Sequence, residues 1–161
     1  MFKLMNFIFL AAALLIPHAV LAADYMEQGE RIKGRSYSPA VITEGGRVIW
    51  LAGETATTDL DGKHIEGDFE AQVRTVFALI DQTLHRAGGS VKDIVTMTAY
   101  VTDVRNQATF SKVRKEIFAD GRYPASAQIT ISALALPGAQ IEVQAVAVIG
   151  DKCKEKSCLA H

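Results

Sequence analysis

Two stretches of the chain place apolar side chains at helical spacing. The first follows Asp68, a residue type that caps helices, and ends before Gly88 and Gly89. Its apolar stripe consists of Phe69, Val73, Val76, Phe77, Ile80 and Leu84. The second runs from about residue 106 to 119, with a glycine stop at 121, and its stripe consists of Phe110, Val113, Ile117 and Phe118. Because each stripe is narrow, both helices are expected to pack on one face of a sheet.

Runs rich in β-branched and aromatic residues predict five strands around these helices. The predicted strands are 38–43, 47–52, 94–102, 126–134 and 139–150. Residues 55–67 are rich in Thr, Asp and Gly and predict a loop, whereas 90–93 predict a short capped turn. Residues 23–36 are polar and are expected to be loosely ordered. The element order is therefore ββαβαββ, which indicates a single α+β domain with a mixed sheet.

Alternation along the strands divides the predicted sheet into an apolar and a polar face. In the last strand one side consists of Ile141, Val143, Ala145 and Ala147, and the other of Gln140, Glu142, Gln144 and Val146. The preceding strand is expected to turn Ala127 and Ile129 towards the helices and Ser126 and Gln128 away from them. The polar face is then either solvated or part of a subunit interface. Glu142, a carboxylate inside an otherwise apolar strand, requires an explanation of its own.

The first 22 residues have the pattern of a secretory signal peptide. Lys3 supplies the positive charge, and residues 7–16 form an apolar run that is too short to span a membrane. Small residues at the end of this segment favour cleavage before Ala23; an uncleaved N-terminal anchor is the alternative. We therefore expect a periplasmic or secreted protein, with a domain at 23–150 and a tail at 151–161.

Charge and cysteine content further restrict the possible ligands and the state of the tail. The chain carries 17 Lys and Arg against 18 Asp and Glu, and the cations are scattered, which does not favour nucleic-acid binding. The two cysteines, Cys153 and Cys158, lie in the tail, where an oxidising compartment favours a local disulfide. A metal clip that includes His161 and free or intermolecularly paired thiols are the alternatives. His64 and His85 show no metal-binding spacing and are interpreted as solvated residues.

Several segments, weak one by one, carry a specific signal through their order and spacing. They are YSPAV at 37–41, VIWLAGE at 48–54, AGGSVKDIV at 87–95, YVTD at 100–103, Phe118, PA at 124–125 and IEVQAVA at 141–147. Together they resemble the Rid family of reactive intermediate deaminases, also called the YjgF or L-PSP endoribonuclease family. The resemblance implies a chorismate-mutase-like fold and a homotrimer with clefts between subunits. It also implies cofactor-free hydrolysis of enamines and imines to ammonia and a keto acid.

The resemblance assigns roles to residues in the expected cleft. Glu142 matches the glutamate with which family members position water, and a carboxylate within reach of that water can orient and partly deprotonate it. The alternative is an interface carboxylate bonded to backbone amides or to a neighbouring Tyr. Tyr37 is a candidate to contact a ligand, or is an interface aromatic. Gly53 is a candidate for close backbone approach to a ligand, or is a bulge glycine.

The chain departs from the family pattern in the same expected cleft. Family members carry an arginine directly after Pro-Ala, where it clamps a substrate carboxylate; here that position is Ser126. The other departures are Ala52 and Glu54 around Gly53 in place of a Ser-Gly-Gln run, Gln128 in place of a cysteine, and Ser111 in place of an asparagine. Three nearby cations are expected to be solvated surface residues, and the alternative is that one of them replaces the missing arginine: Arg35, Arg114 and Arg122.

These departures leave three functions to weigh. The first is a hydrolase or deaminase of a small imine, enamine or related C=N compound, neutral or cationic, with weak activity on 2-imino acids. The second is a non-catalytic trimer that binds a small ligand. The third is the nuclease activity of the family name, which the charge balance disfavours. The expected partners are two further copies of the chain and a small ligand at their interface. Nucleic acid, a membrane after signal cleavage, a cofactor and a metal are not expected.

Overall fold

A computed structural model describes residues 23–153. The predicted signal peptide therefore lies outside the described residues, as do Cys158 and His161, so the signal peptide, the disulfide and the metal clip remain predictions. Cys153 itself is buried. Within the described range no helix combines the length and the apolar character needed to cross a membrane.

The helices form where the apolar stripes predicted them. Helix α1 spans Phe69–Arg86 and α2 spans Gln107–Ile117. The Asp68 carboxylate accepts a hydrogen bond from the Ala71 amide at 3.0 Å, which satisfies one of the free amides at the start of α1. The predicted turn at 90–93 is a 3₁₀ turn that Ser90 and Asp93 close as a capping box.

Within residues 23–153, six strands build two sheets. They are β1 (Asp24–Tyr25), β2 (Val41–Ile42), β3 (Arg47–Trp50), β4 (Ile94–Val101), β5 (Ala125–Thr130) and β6 (Ile141–Ile149). The main sheet has the order β3-β6-β4-β5 and is mixed, because β4 and β5 are parallel while the other pairs are antiparallel. Both helices cover one face of it, and Phe77 of α1 contacts the rings of Phe110 and Phe118. The α+β architecture with helices on one face is confirmed.

The predicted orientation of β5 is wrong. Ser126 lies beside Met97 and Gln128 beside Ala99, and both partners are buried under the helices. Ala127 and Ile129 instead point to the uncovered face, where Ile129 is 43% exposed. Alternation shows which residues of a strand share a face, but it does not say which of the two sets meets the helices. Arg114 of α2 provides the hydrogen-bond partner that holds Ser126 inward.

The segment 23–36 is more ordered than its polar composition suggested. Strand β1 pairs with β2, and Ala23 is buried against Val95 and Val148 on the face of the sheet opposite the helices. The side chain of Gln28 donates hydrogen bonds to two backbone carbonyls, at residues 35 and 37, and accepts one from the amide of residue 34. Backbone pairing, this one amide side chain and the packing of Ala23 therefore order the segment.

The rest of that face is open in the single chain. Trp50 is 80% exposed and Val48 47% exposed, next to polar residues of β4 and β6. A polar face with large apolar residues was the sequence-based expectation, and the structure has it. Such a patch on one chain is typical of a surface that another chain covers.

Candidate functional site

The open face presents Glu142 where β3 leaves its regular pairing with β6. Trp50 lies opposite Val146, whereas Glu54 lies opposite Val143, so four steps along one strand match three along the other. The extra residue makes a bulge at Ala52 and Gly53. Glu142 is directly opposite Tyr100 of β4, so both side chains lie on the open face.

Gly53 makes room for the Glu142 carboxylate. A Cβ atom on residue 53 would lie 2.8 Å from the Glu142 carboxyl carbon, well inside van der Waals contact. Gly53 therefore lies in a bulge, and the group that approaches it closely within the chain is Glu142, whereas a ligand contact at this glycine stays a prediction. The carboxylate is half-buried and forms no hydrogen bond or ion pair within residues 23–153, which leaves it available to a water molecule or a ligand.

A second polar group lies under the helices, between α2 and β5. Arg114 of α2 donates from Nη1 to Ser126 Oγ at 2.7 Å. It also donates from Nε and Nη2 to Ser36 Oγ, at 3.0 and 2.9 Å. The Ser36 hydroxyl lies 2.9 Å from that of Ser111. We call Ser36, Ser111, Arg114 and Ser126 the arginine network.

The expectation that Arg114 is a solvated surface residue is wrong. Only 5% of the residue is exposed, and burial lowers the pKa of its guanidinium to about 10, so it stays charged at neutral pH. Its Cζ atom lies 4.8 Å from the centre of the Phe110 ring and 6.0 Å from that of Tyr37, which gives partial compensation through cation–π contacts. Arg35 is exposed, and Arg122 pairs with Asp120, so these two cations do lie at the surface.

Sequence reasoning missed Arg114 and Ser36, although a signal for Arg114 was present. Phe110, Val113, Arg114 and Ile117 follow the spacing i, i+3, i+4, i+7, so the arginine falls inside the apolar stripe of α2. A charged residue at such a position is expected to be buried or to reach across the helix edge. No pattern in the sequence marks Ser36, because its role depends on two distant elements.

The remaining predicted residues divide between these two regions. Tyr37 lies against Arg114, and Gln128 is on the same side of β5 as Ser126, so both belong with the arginine network. Glu54 does not join them: it lines a surface depression with Asp81, His85 and Arg86 of α1. Within one chain three strand spacings separate Glu54 from Ser126, so the two residues could approach each other only in a cleft between copies of the chain.

Within one chain the two regions are apart. Ser126 and Glu142 lie on opposite faces, two strands from each other and three positions along the sheet. With ordinary strand spacing their Cα atoms are on the order of 14 Å apart. One chain therefore does not place the carboxylate and the guanidinium around a single small molecule.

Comparison with known proteins places these features in a family. Residues 30–149 match the family model described as Endoribonuclease L-PSP. A RutC family protein of Aquifex aeolicus is 31% identical over 113 residues, which are 70% of this chain and 87% of that protein. The 2-iminobutanoate/2-iminopropanoate deaminase of Bos taurus is 27% identical over 114 residues, 71% of this chain and 80% of the relative. The crystal structure of the Rid family protein YyfB from Yersinia pestis matches with a TM-score of 0.64 at 28% identity, covering 71% of this chain and 87% of that one.

Proposed function

Because this chain belongs to the Endoribonuclease L-PSP family, which is the Rid or YjgF family, we propose that it is a cofactor-independent hydrolase of a small imine or enamine. The observation that carries the proposal is the Glu142 carboxylate, which is half-buried, unpaired within the described residues and given its space by Gly53. Fold and family are common to this chain and its relatives, whereas the substrate is not fixed by either.

The chemistry needs one well-placed carboxylate. Glu142 accepts a proton from water as the water oxygen bonds to the carbon of the C=N group. The proton that Glu142 took from water passes to the imine nitrogen, which gives a carbinolamine. Glu142 then transfers the proton of the new hydroxyl group to the nitrogen, so the C–N bond breaks as the C=O bond forms, and ammonia and a carbonyl compound leave. An enamine enters the same route after protonation at carbon. No electron acceptor or donor takes part, so the reaction balances with water alone.

We place the reaction in a cleft between copies of the chain. Two observations support this: the open face exposes Trp50 and Val48, and Glu142 is far from the arginine network of its own chain. A closed homotrimer would supply Glu142 from one copy and the arginine network from the next. Light scattering is expected to give three times the chain mass.

The test of catalysis is ammonia release from imines generated in situ by an amino-acid oxidase. Glu142→Gln keeps the side-chain volume and removes the base, so turnover is expected to fall by about 10² to 10⁴. Gln144→Ala, on the same face two residues away, is the matched control and is expected to keep its turnover. Equal turnover in wild type and Glu142→Gln would reject Glu142 as the base.

Mixing variants tests the cleft between copies. Arg114→Gln chains and Glu142→Gln chains, unfolded and refolded together, form mixed trimers in which about a quarter of the clefts hold both native residues. Activity above that of either variant alone is expected. If one chain contained the whole site, the mixture would show no gain.

A non-catalytic trimer that binds a small ligand is the second candidate. The observation that favours it is Ser126 at the position where the resemblance implies a substrate-binding arginine. Wild-type protein that binds a keto acid yet releases no ammonia from any imine would support this candidate. The net charge of −1 and the scattered cations give no support to the nuclease activity that the family name suggests.

We further propose that the protein is exported and begins near Ala23 when mature. Ala23 is buried beside Val95 and Val148, so a chain starting there would still have its first residue packed on the domain. Intact-mass measurement on protein from an exporting host tests this, and retention of residues 1–22 on the product would contradict it.

A further inference from the structure

Arg114 is a buried cation without a carboxylate. The guanidinium has five N–H groups, and it directs three of them at two neutral hydroxyls, those of Ser36 and Ser126. It forms no ion pair within residues 23–153. A hydroxyl accepts a hydrogen bond but carries no net charge, so the buried positive charge is left without a counter-ion.

Two arginines at the surface have carboxylate partners. Arg74 contacts Glu70 and Glu116, each at 2.6 Å, and Arg122 contacts Asp120 at 3.3 Å. These exposed pairs add little, because water already screens their charges. Arg114 has no such partner within residues 23–153, although a buried position is where a counter-ion would contribute most.

We propose that Arg114 is a specificity-determining residue that binds an anionic group of the substrate, so that the preferred substrate carries a carboxylate or an equivalent anion near its C=N group. This inference rests on the proposed function. It also replaces the expectation of a neutral or cationic substrate, because that expectation counted Ser126 as the loss of the cation.

The surroundings of Arg114 hold its guanidinium ready for such a group. Ser36 fixes the Nε–Nη2 edge, and Ser126 fixes Nη1. Two N–H groups, one on each terminal nitrogen, have no partner among the described residues. A planar guanidinium group that is already immobilised loses little conformational freedom when it binds a carboxylate through this fork of N–H groups.

The approach to this region is positively charged. Ser111, one hydrogen bond from Ser36, lines a groove of about 620 Å³ along α2. The charged residues of that groove are Arg35, Lys112, Lys115 and Glu116, three cations against one carboxylate. A lining of this sign raises the local concentration of small anions and disfavours cations.

The test compares two probes that differ in charge alone. Pyruvate carries a carboxylate, and pyruvamide replaces it with a neutral amide of nearly the same shape. Calorimetric titration of the wild-type protein is expected to give a Kd for pyruvate at least about tenfold lower, the range of a charged hydrogen-bond pair. Equal dissociation constants for the two probes would overturn the proposal, and this comparison requires no variant to fold.

Variants assign the preference to one residue. Arg114→Gln is expected to bind both probes equally, and Arg114→Lys to keep part of the preference, because it retains the charge but not the fork. The matched control, Arg122→Gln, is expected to keep the wild-type ratio. If Arg114→Gln does not fold, Ser36→Ala and Ser126→Ala are expected to reduce the ratio by loosening the fork. A ratio that survives in Arg114→Gln, or in both serine variants, would assign the preference elsewhere and reject Arg114.

The same experiments separate this inference from the proposed function. Pyruvate preference that depends on Arg114, without ammonia release from any imine, would keep the anion site and reject the hydrolase. Ammonia release that depends on Glu142, with equal binding of both probes, would keep the hydrolase and reject the anion site.

Discussion

Glu142 and Arg114 are both charged residues inside apolar patterns, yet the fold treats them in opposite ways. The strand β6 exposes Glu142 on its open face, and a glycine on the neighbouring strand leaves it room. Arg114 of α2 is buried between that helix and β5, where serine hydroxyls and aromatic rings surround it. The carboxylate is accessible to water, while the guanidinium is fixed by its hydrogen bonds and keeps its proton. These are the properties that a base and an anion anchor need.

Among substitutions that keep both Glu142 and Arg114, the largest expected effect on turnover comes from crowding the carboxylate. Gly53→Ala places a Cβ atom against the Glu142 carboxyl group, so the carboxylate must move by an ångström or more. A displacement of that size is expected to lower turnover on the order of 100-fold while the Arg114-dependent pyruvate affinity stays at the wild-type value. Steady-state ammonia release and calorimetry measure the two quantities.

Another glycine gives the matched control for that substitution. Gly29→Ala adds the same Cβ atom where no atom lies within 4 Å, and it is expected to leave turnover unchanged. If Gly53→Ala were as active as wild type, the glycine would have no part in positioning Glu142. The space beside Gly53 would then not distinguish the Glu142 region from the arginine network.

The arginine network can be broken by adding the residue that the family pattern contains. Ser126→Arg would bring a second guanidinium against Arg114, whose Nη1 lies 2.7 Å from the present hydroxyl, with no carboxylate between them. A second uncompensated charge at this partly buried position is expected to lower the free energy of unfolding by about 3 kcal/mol. Urea denaturation measures this change.

Ser126→Ala separates loss of the hydroxyl from gain of charge. It removes one hydrogen bond and is expected to lower the free energy of unfolding by about 1 kcal/mol. A stable Ser126→Arg variant, at or above the wild-type value, would show that an anion or a carboxylate of another copy already lies between the two positions.

The same two regions show how much of the structure the sequence alone predicts. The stripes of α1 and α2, the capping at Asp68 and the alternation of β6 are local patterns, and they predicted the elements and placed Glu142 on the open face. The orientation of β5 was not predictable in this way, because Ser126 faces inward through a contact with Arg114, which comes from another element. The bulge at Gly53, which shifts the pairing of Glu54 with β6 by one residue, likewise depends on a contact between strands rather than on a local pattern.

The smallest expected effect concerns the strand pair that covers part of the open face beyond Glu142. The Tyr25 hydroxyl of β1 donates to the carbonyl of Ile94 at 3.1 Å and lies 3.3 Å from that of Lys92. Tyr25→Phe removes this contact and is expected to lower the free energy of unfolding at neutral pH by about 1 kcal/mol. The arginine network lies on the other face, so pyruvate affinity is expected to stay unchanged.

At alkaline pH the Tyr25→Phe variant is expected to become more stable than the wild-type protein. Burial raises the pKa of Tyr25 from 10.0 to about 12, because the neutral phenol is favoured in the folded state. The unfolded chain therefore loses this proton first, and the contribution of Tyr25 to stability is complete below pH 10 and disappears as the pH rises towards 12. Urea denaturation across this range is expected to show wild-type stability falling relative to Tyr25→Phe, which lacks the titrating group, until the variant is the more stable protein. Parallel curves for the two proteins would mean that the hydroxyl reaches solvent, and that β1 covers the open face less closely than its contacts indicate.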